Sequence, residues 1–171
     1  MKQLINIFPA GLRRIADYLF GYDFFISYAH KDGIDYPQEL ADQLQEMGYN
    51  MFLDRREYVA GTDLRVATQR RIRMSRRLIA VMGPHALASD WVRREIKAYL
   101  KADKIPIVVD LNQSFENAPE NNPIKRLLQD KIYISESIIE NDPVPSAHVL
   151  DQLRSSFRAT RQETIRSRII S

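Results

Sequence analysis

Five short runs of strand-forming residues, separated by stretches of helical periodicity, constrain this chain more than any other feature. The runs are Asp23-Phe-Phe-Ile-Ser-Tyr28, Asn50-Met-Phe-Leu-Asp54, Leu78-Ile-Ala-Val-Met82, Ile105-Pro-Ile-Val-Val109 and Ile132-Tyr-Ile134. Strands that alternate with helices need crossover connections, and these lead to a parallel sheet covered on both faces. The third run is apolar without interruption, as a strand at the centre of such a sheet must be. Pro106 places the fourth run toward an edge or at a strand start, because proline cannot donate to a ladder. The expected architecture is α/β: a flavodoxin-like, doubly wound, five-stranded parallel sheet with helices on both faces.

The intervening segments carry their own signals. Pro37 suits a first helical turn, Leu40, Leu44 and Met47 form an apolar stripe, and Gly48 suits a C-terminal cap. Residues 63–74 read as a helix crowded with arginine, and residues 85–102 as one long helix. Residues 112–123 read as a polar loop and residues 124–128 as a short helix. A last helix starts near Ser146, with Leu150, Leu153 and Phe157 on one face. Three regions follow. Residues 1–20 are an extension whose Leu12, Ile15, Ala16 and Leu19 mark an amphipathic helix that packs on the domain, on a neighbouring subunit or on a membrane surface. Residues 21–145 are the core. Residues 146–171 form the final helix and a basic connector into further domains.

Composition removes several function classes. At 44% hydrophobic and 27% charged residues the chain can bury a core, so disorder throughout is excluded. It has no cysteine, which excludes disulfides, iron–sulfur clusters and thiol nucleophiles, and fits a cytoplasmic location. Its net charge of +3 suits an anionic small molecule better than nucleic acid. No apolar run approaches the ~20 residues of a membrane helix. None of the six glycines builds a G-x-G-x-x-G turn or a P-loop. No G-x-S-x-G elbow is present, and the first and third strands do not end on the aspartates of a phospho-receiver. His30, His85 and His148 are scattered without metal-ligand spacing, so no metal site is expected. The cluster Arg70, Arg71, Arg73, Arg76 and Arg77 reads first as a solvated face and second as a partner contact.

On a helix at 100° per residue, Ala88, Val92, Ile96, Tyr99 and Leu100 make an apolar face, while Arg93, Arg94, Lys97 and Lys101 lie away from it. Glu95 falls between the two sets, beside Ala88, Tyr99 and Trp91. Trp91 and Glu95 are i and i+4 and therefore neighbours. A carboxylate in that position either pairs with a nearby arginine or lysine, or serves chemistry.

Three segments together resemble the TIR (Toll/interleukin-1 receptor) family. Phe25-Ile-Ser-Tyr28 with Ala-His-Lys-Asp32 resembles the family's first strand and loop. Phe52-Leu-Asp54 with Gly61 resembles its second strand and BB loop. Ser89-Asp-Trp-Val-Arg-Arg-Glu-Ile96 resembles the third helix of the NAD⁺-cleaving branch, where a tryptophan precedes the catalytic glutamate by four residues. Val92 stands where plant immune-receptor TIR domains carry cysteine, and the loop at His30 lacks the arginine frequent in NAD⁺-cleaving relatives.

This resemblance implies an NAD⁺ glycohydrolase with Glu95 as its catalytic residue. Tyr28, Ala29, His30, Trp91 and Gly61 would bind substrate, and NAD⁺ would be a substrate with no separate cofactor. It implies a cytoplasmic homo-oligomer formed through TIR–TIR contacts that include the loop 55–62. It also implies a sensor domain or partner subunit, and a role in antiviral defence and innate immunity. Two alternatives remain: a non-catalytic TIR signalling module acting by homotypic contacts, and a nucleotide-sensing domain that binds without turnover. Adaptor TIR domains generally lack glutamate in a Trp-x-x-x-Glu context.

Overall fold

A computed structural model describes residues 21–53, 64–129, 131–138 and 143–170 of the chain. Five strands form one sheet: β1 (Phe24–Ser27), β2 (Met51–Leu53), β3 (Arg77–Met82), β4 (Ile107–Leu111) and β5 (Tyr133–Glu136). Every pairing is parallel and the order is β2-β1-β3-β4-β5. The helices are α1 (Asp35–Glu46), α2 (Leu64–Met74), α3 (Asp90–Leu100), α4 (Pro123–Leu128) and α5 (Ala147–Ile170). The amphipathic segment expected at residues 11–20 and the loop 55–62 lie outside the described residues.

Side chains of a strand alternate between the two faces, so each strand feeds two cores. Phe25, Leu78, Ala80, Met82 and Val108 pack with Ile72 of α2, with Val92, Ile96 and Tyr99 of α3, and with Ile124 and Leu128 of α4. Phe24, Ile26, Ile79, Val81 and Val109 pack with Tyr36, Leu40 and Leu44 of α1 and with Val149 and Leu153 of α5. β3 lies at the centre, and five of its six residues are buried. The doubly wound sheet inferred from the sequence is therefore present.

Two local expectations need correction, and of the two placements that Pro106 allows the structure has the strand start. Residues 85–102 are not one helix. Ala86–Ala88 form a 3-10 turn, and α3 begins only at Asp90 because Ser89 takes extended backbone angles and its side chain accepts from Val92 N at 3.3 Å. That is ordinary N-capping. Ala88 is consequently exposed and off the apolar face. β4 is an interior strand, hydrogen-bonded to both β3 and β5, and Pro106 sits just before it, where no ladder hydrogen bond is lost. β5 starts one residue late, leaving Ile132 93% exposed.

The loops at the carboxyl ends of β1 and β3 are tied together. The Asp32 carboxylate accepts from His85 N at 2.9 Å and from Ala86 N at 2.7 Å. A Cβ on Gly83 would meet that carboxylate at 2.6 Å, so glycine is what lets the two loops approach.

The core also holds Tyr99, whose hydroxyl donates to Arg76 O at 2.7 Å. Burial pushes its pKa up from 10 to about 12, against the lowering effect of the Arg77 charge. Between those values the unfolded chain ionises at this residue while the folded one stays neutral, so stability falls as pH rises from 10 toward 12. Chemical denaturation followed from pH 8 to 12 should show this decline. In Tyr99→Phe the decline should be shallower, with a loss of about 1 kcal/mol at neutral pH for the missing hydrogen bond.

Candidate active site

The strand order reverses between β1 and β3, which opens a crevice at their carboxyl ends. Ser27 is the last residue of β1 and pairs in register with Ala80 of β3. It shares a face with Phe25, so its hydroxyl points toward α3. There Ser27 Oγ donates to Glu95 Oε2 at 2.5 Å, at the short end of the range for a hydroxyl on a carboxylate. One helical turn from Glu95, Trp91 Nε1 donates to Glu95 Oε1 at 2.8 Å. Glu95 is 3% exposed and Ser27 fully buried.

An unmet carboxylate in such a place would be costly, and two donors, one on each oxygen, offset that cost. The α3 sequence explains how the carboxylate gets there. Val92, Ile96 and Tyr99 pull one face of the helix onto the sheet, and Glu95, between Val92 and Tyr99, is carried in with them. The basic neighbours point outward: Arg93 pairs with Asp90 at 2.6 Å, and the Arg94 guanidinium lies 5.6 Å from the Trp91 ring centre. The expectation that Glu95 borders the apolar face is met, and the carboxylate is deeper than an edge position implies.

A cavity of about 360 Å³ opens between α2 and α3 beside this pair. Thr68, Gln69, Ile72 and Arg73 line it from α2, and Trp91, Arg94, Glu95, Lys97 and Ala98 from α3, with Lys101 just past the helix end. Of the residues proposed from sequence, Trp91 and Glu95 line this cavity. Tyr28 and Ala29 do not. Strand alternation turns Tyr28 to the opposite core, with Tyr36 and Leu40, and Ala29 packs into the core behind α3. His30 is exposed and stacks on Tyr28 with ring centres 4.9 Å apart. Gly61 lies outside the described residues. His85 and His148 are exposed. No group of three or more potential metal ligands occurs among the described residues.

The arginine cluster is not one solvated face. Arg71 lies 4.5 Å over the Phe52 ring, Arg76 pairs with Asp23 at 3.6 Å, and Arg77 donates to Ser156 O at 3.1 Å, while Arg73 faces the cavity. Helical rotation separates Arg71 from Arg73 on α2, and the turn from α2 into β3 carries Arg76 and Arg77 to other surroundings.

Ser27 is the site residue that sequence reasoning passed over. Its signal is a single hydroxyl closing an otherwise apolar strand at the ligand end of the sheet.

The sequence model of the TIR domain family matches residues 24–142. The chain belongs to the TIR domain family. Two curated relatives align over 75 residues, 44% of this chain. One is a probable 2′ cyclic ADP-D-ribose synthase, TcpB of Brucella abortus, at 33% identity over 30% of its length. The other is the 2′ cyclic ADP-D-ribose synthase AbTIR of Acinetobacter baumannii, at 32% identity over 28% of its length. The match thus spans less than a third of either relative. Among solved structures, a metazoan TIR-STING receptor from C. gigas superposes with a TM-score of 0.58 at 16% identity, covering 80% of this chain and 39% of that one. That likeness concerns the fold alone. No helix among the described residues is long and apolar enough to cross a membrane.

The clamp around Glu95 generates a stability prediction. Ser27→Ala removes the Ser27 hydroxyl from Glu95 Oε2 and should cost about 1–3 kcal/mol in urea unfolding. The same change made in a Glu95→Leu background should cost less, with a coupling of at least about 0.5 kcal/mol in the double-mutant cycle.

Proposed function

We propose that this TIR domain is an NAD⁺ glycohydrolase that breaks the bond between nicotinamide and ribose, with Glu95 as the catalytic carboxylate. The observation that carries this reading is the buried Glu95, held by Ser27 and Trp91 at the topological switch point and facing the cavity between α2 and α3. The names of the two bacterial relatives point the same way.

The chemistry asks little else of the protein. The bond electrons leave with the nicotinamide nitrogen, which is cationic before cleavage and neutral after it, so no general acid is needed. Positive charge develops on the ribose as an oxocarbenium-like transition state. A carboxylate fixed beforehand stabilises that charge without reorganising. Two donors prevent Glu95 from swinging away, and the Trp91 ring supplies a flat wall for nicotinamide or ribose. Water then adds to the ribose carbon and loses a proton, giving ADP-ribose. If an internal nucleophile takes the place of water, the product is cyclic ADP-ribose, the product class for which both relatives are named.

On this reading the domain is a cytoplasmic defence effector that depletes NAD⁺. It is activated when copies assemble through TIR–TIR contacts that include the loop 55–62, under the control of a sensor domain or partner subunit. Tyr28 and Ala29 then support the β1 loop from the two cores, and His30 at its exposed end reaches the ligand.

Nicotinamide release from NAD⁺, followed by chromatography on concentrated protein, tests the proposal. Glu95→Gln, shown to be folded by circular dichroism, should lose release by roughly 10²–10³-fold. Undiminished release in that variant would remove Glu95 from the mechanism. Absence of release from the unmodified protein under every assembly condition would favour the non-catalytic signalling module. Turnover per protein molecule should also rise with protein concentration, and full activity in demonstrably monomeric protein would contradict activation by assembly.

A further inference from the structure

The cavity beside Glu95 extends past the carboxylate along the groove between α2 and α3. Both helices return from parallel strands, so they run in the same direction, and Arg73 near the end of α2 and Lys101 just past the end of α3 sit at the same end of the groove. Lys97 lies between that end and Glu95. The lining holds four cations and one carboxylate. Of these cations, Arg94 is occupied with the Trp91 ring and with Asp90 O. Arg73, Lys97 and Lys101 make no ion pair among the described residues.

Basic residues near helix C-termini commonly offset the helix dipole. That role is already filled at the end of α2 by Lys104, whose Nζ donates to Arg73 O and Ser75 O, both at 2.9 Å. Three exposed, unpaired cations converging on one concavity instead create a positive potential that draws in an anion. Lys101 is six residues beyond Glu95, roughly 9 Å of helix rise. In a nicotinamide dinucleotide, the ribose ring and one methylene separate the scissile bond from the diphosphate, a span of the same order.

We propose that Arg73, Lys97 and Lys101 form the subsite for the diphosphate of the dinucleotide, so that the substrate lies along the α2–α3 groove with its nicotinamide ribose at Glu95. This rests on the NAD⁺-cleaving reading and adds to it the orientation of the substrate and the residues that hold its charged centre. A groove of this kind selects dinucleotides over nicotinamide nucleosides, which are cationic and lack the diphosphate.

The test compares the full chain under assembling conditions with Lys97→Ala/Lys101→Ala. Two measurements are made: nicotinamide release as a function of NAD⁺ concentration, and ADP-ribose binding by calorimetry to the Glu95→Gln background. KM for NAD⁺ and Kd for ADP-ribose should both rise at least about tenfold, the scale of one charge-assisted hydrogen bond, while kcat stays within about twofold. Lys97→Arg/Lys101→Arg should recover most of the loss, and added salt should weaken binding less in the alanine variant than in the unmodified protein. Arg126→Ala, which removes an exposed cation outside the groove, serves as the charge control and should leave KM unchanged. Unchanged KM and Kd in the alanine variant, with active unmodified protein, would overturn the subsite and leave the NAD⁺-cleaving reading standing. A fall in kcat at constant KM would overturn it as well, since that pattern belongs to assembly or folding. If the unmodified protein releases no nicotinamide yet binds ADP-ribose in a Lys97- and Lys101-dependent way, the subsite stands and the reading of Glu95 fails.

Discussion

Everything at the candidate site depends on how a parallel sheet covers both of its faces. Each strand must be left by a crossover, and helices can reach the second face only if the winding reverses at one point. Here that point lies between β1 and β3, the two strands with the most fully buried side chains. The reversal separates α1 from α2 and α3, placing them on opposite faces and leaving the carboxyl ends of β1 and β3 uncovered between them. A polar group at the last position of β1 therefore meets the helix that follows β3 at a place where a ligand can also arrive. Ser27 and Glu95 are that meeting, 68 residues apart in sequence and 2.5 Å apart in space.

The clamp shows how apolar packing can deliver a charge into the interior. The donors from Ser27 and Trp91 favour a carboxylate at this depth, but they do not by themselves bring it there. The driving force comes from Val92, Ile96 and Tyr99, which are removed from water entirely. Trp91 and Ser27 then settle which way the carboxylate points. The polar site is thus held by the core beneath it. The cationic side of α3 is kept outside by the same helical geometry, which places Lys97 and Lys101 on the wall of the groove.

Much of this was legible in the chain. The five apolar runs predicted the five parallel strands, and the uninterrupted Leu78–Met82 run predicted the central one. The i, i+4 spacing of Trp91 and Glu95 predicted their contact, now seen as a hydrogen bond. Other features were not legible, most of them because they depend on partners remote in sequence. Helical periodicity runs smoothly through residues 85–102, and only the local backbone at Ser89 shows that the helix starts late. Pro106 signals the beginning of a strand but cannot say whether that strand has one neighbour or two. The motif resemblance places Tyr28 at the substrate, yet period-two alternation sends it to the far core. The role of Ser27 needed the register of β1 against β3. The arginines of residues 70–77 look alike in sequence and acquire different partners once the chain turns from α2 into β3.

The link between Asp32 and the backbone at His85 and Ala86 has a mechanical consequence. The two loops that rim the crevice on the sheet side move as one piece, because displacing either breaks two charge-assisted hydrogen bonds. The groove between α2 and α3 draws none of its lining from these loops, so its width is set by how the two helices pack and not by the link at Asp32.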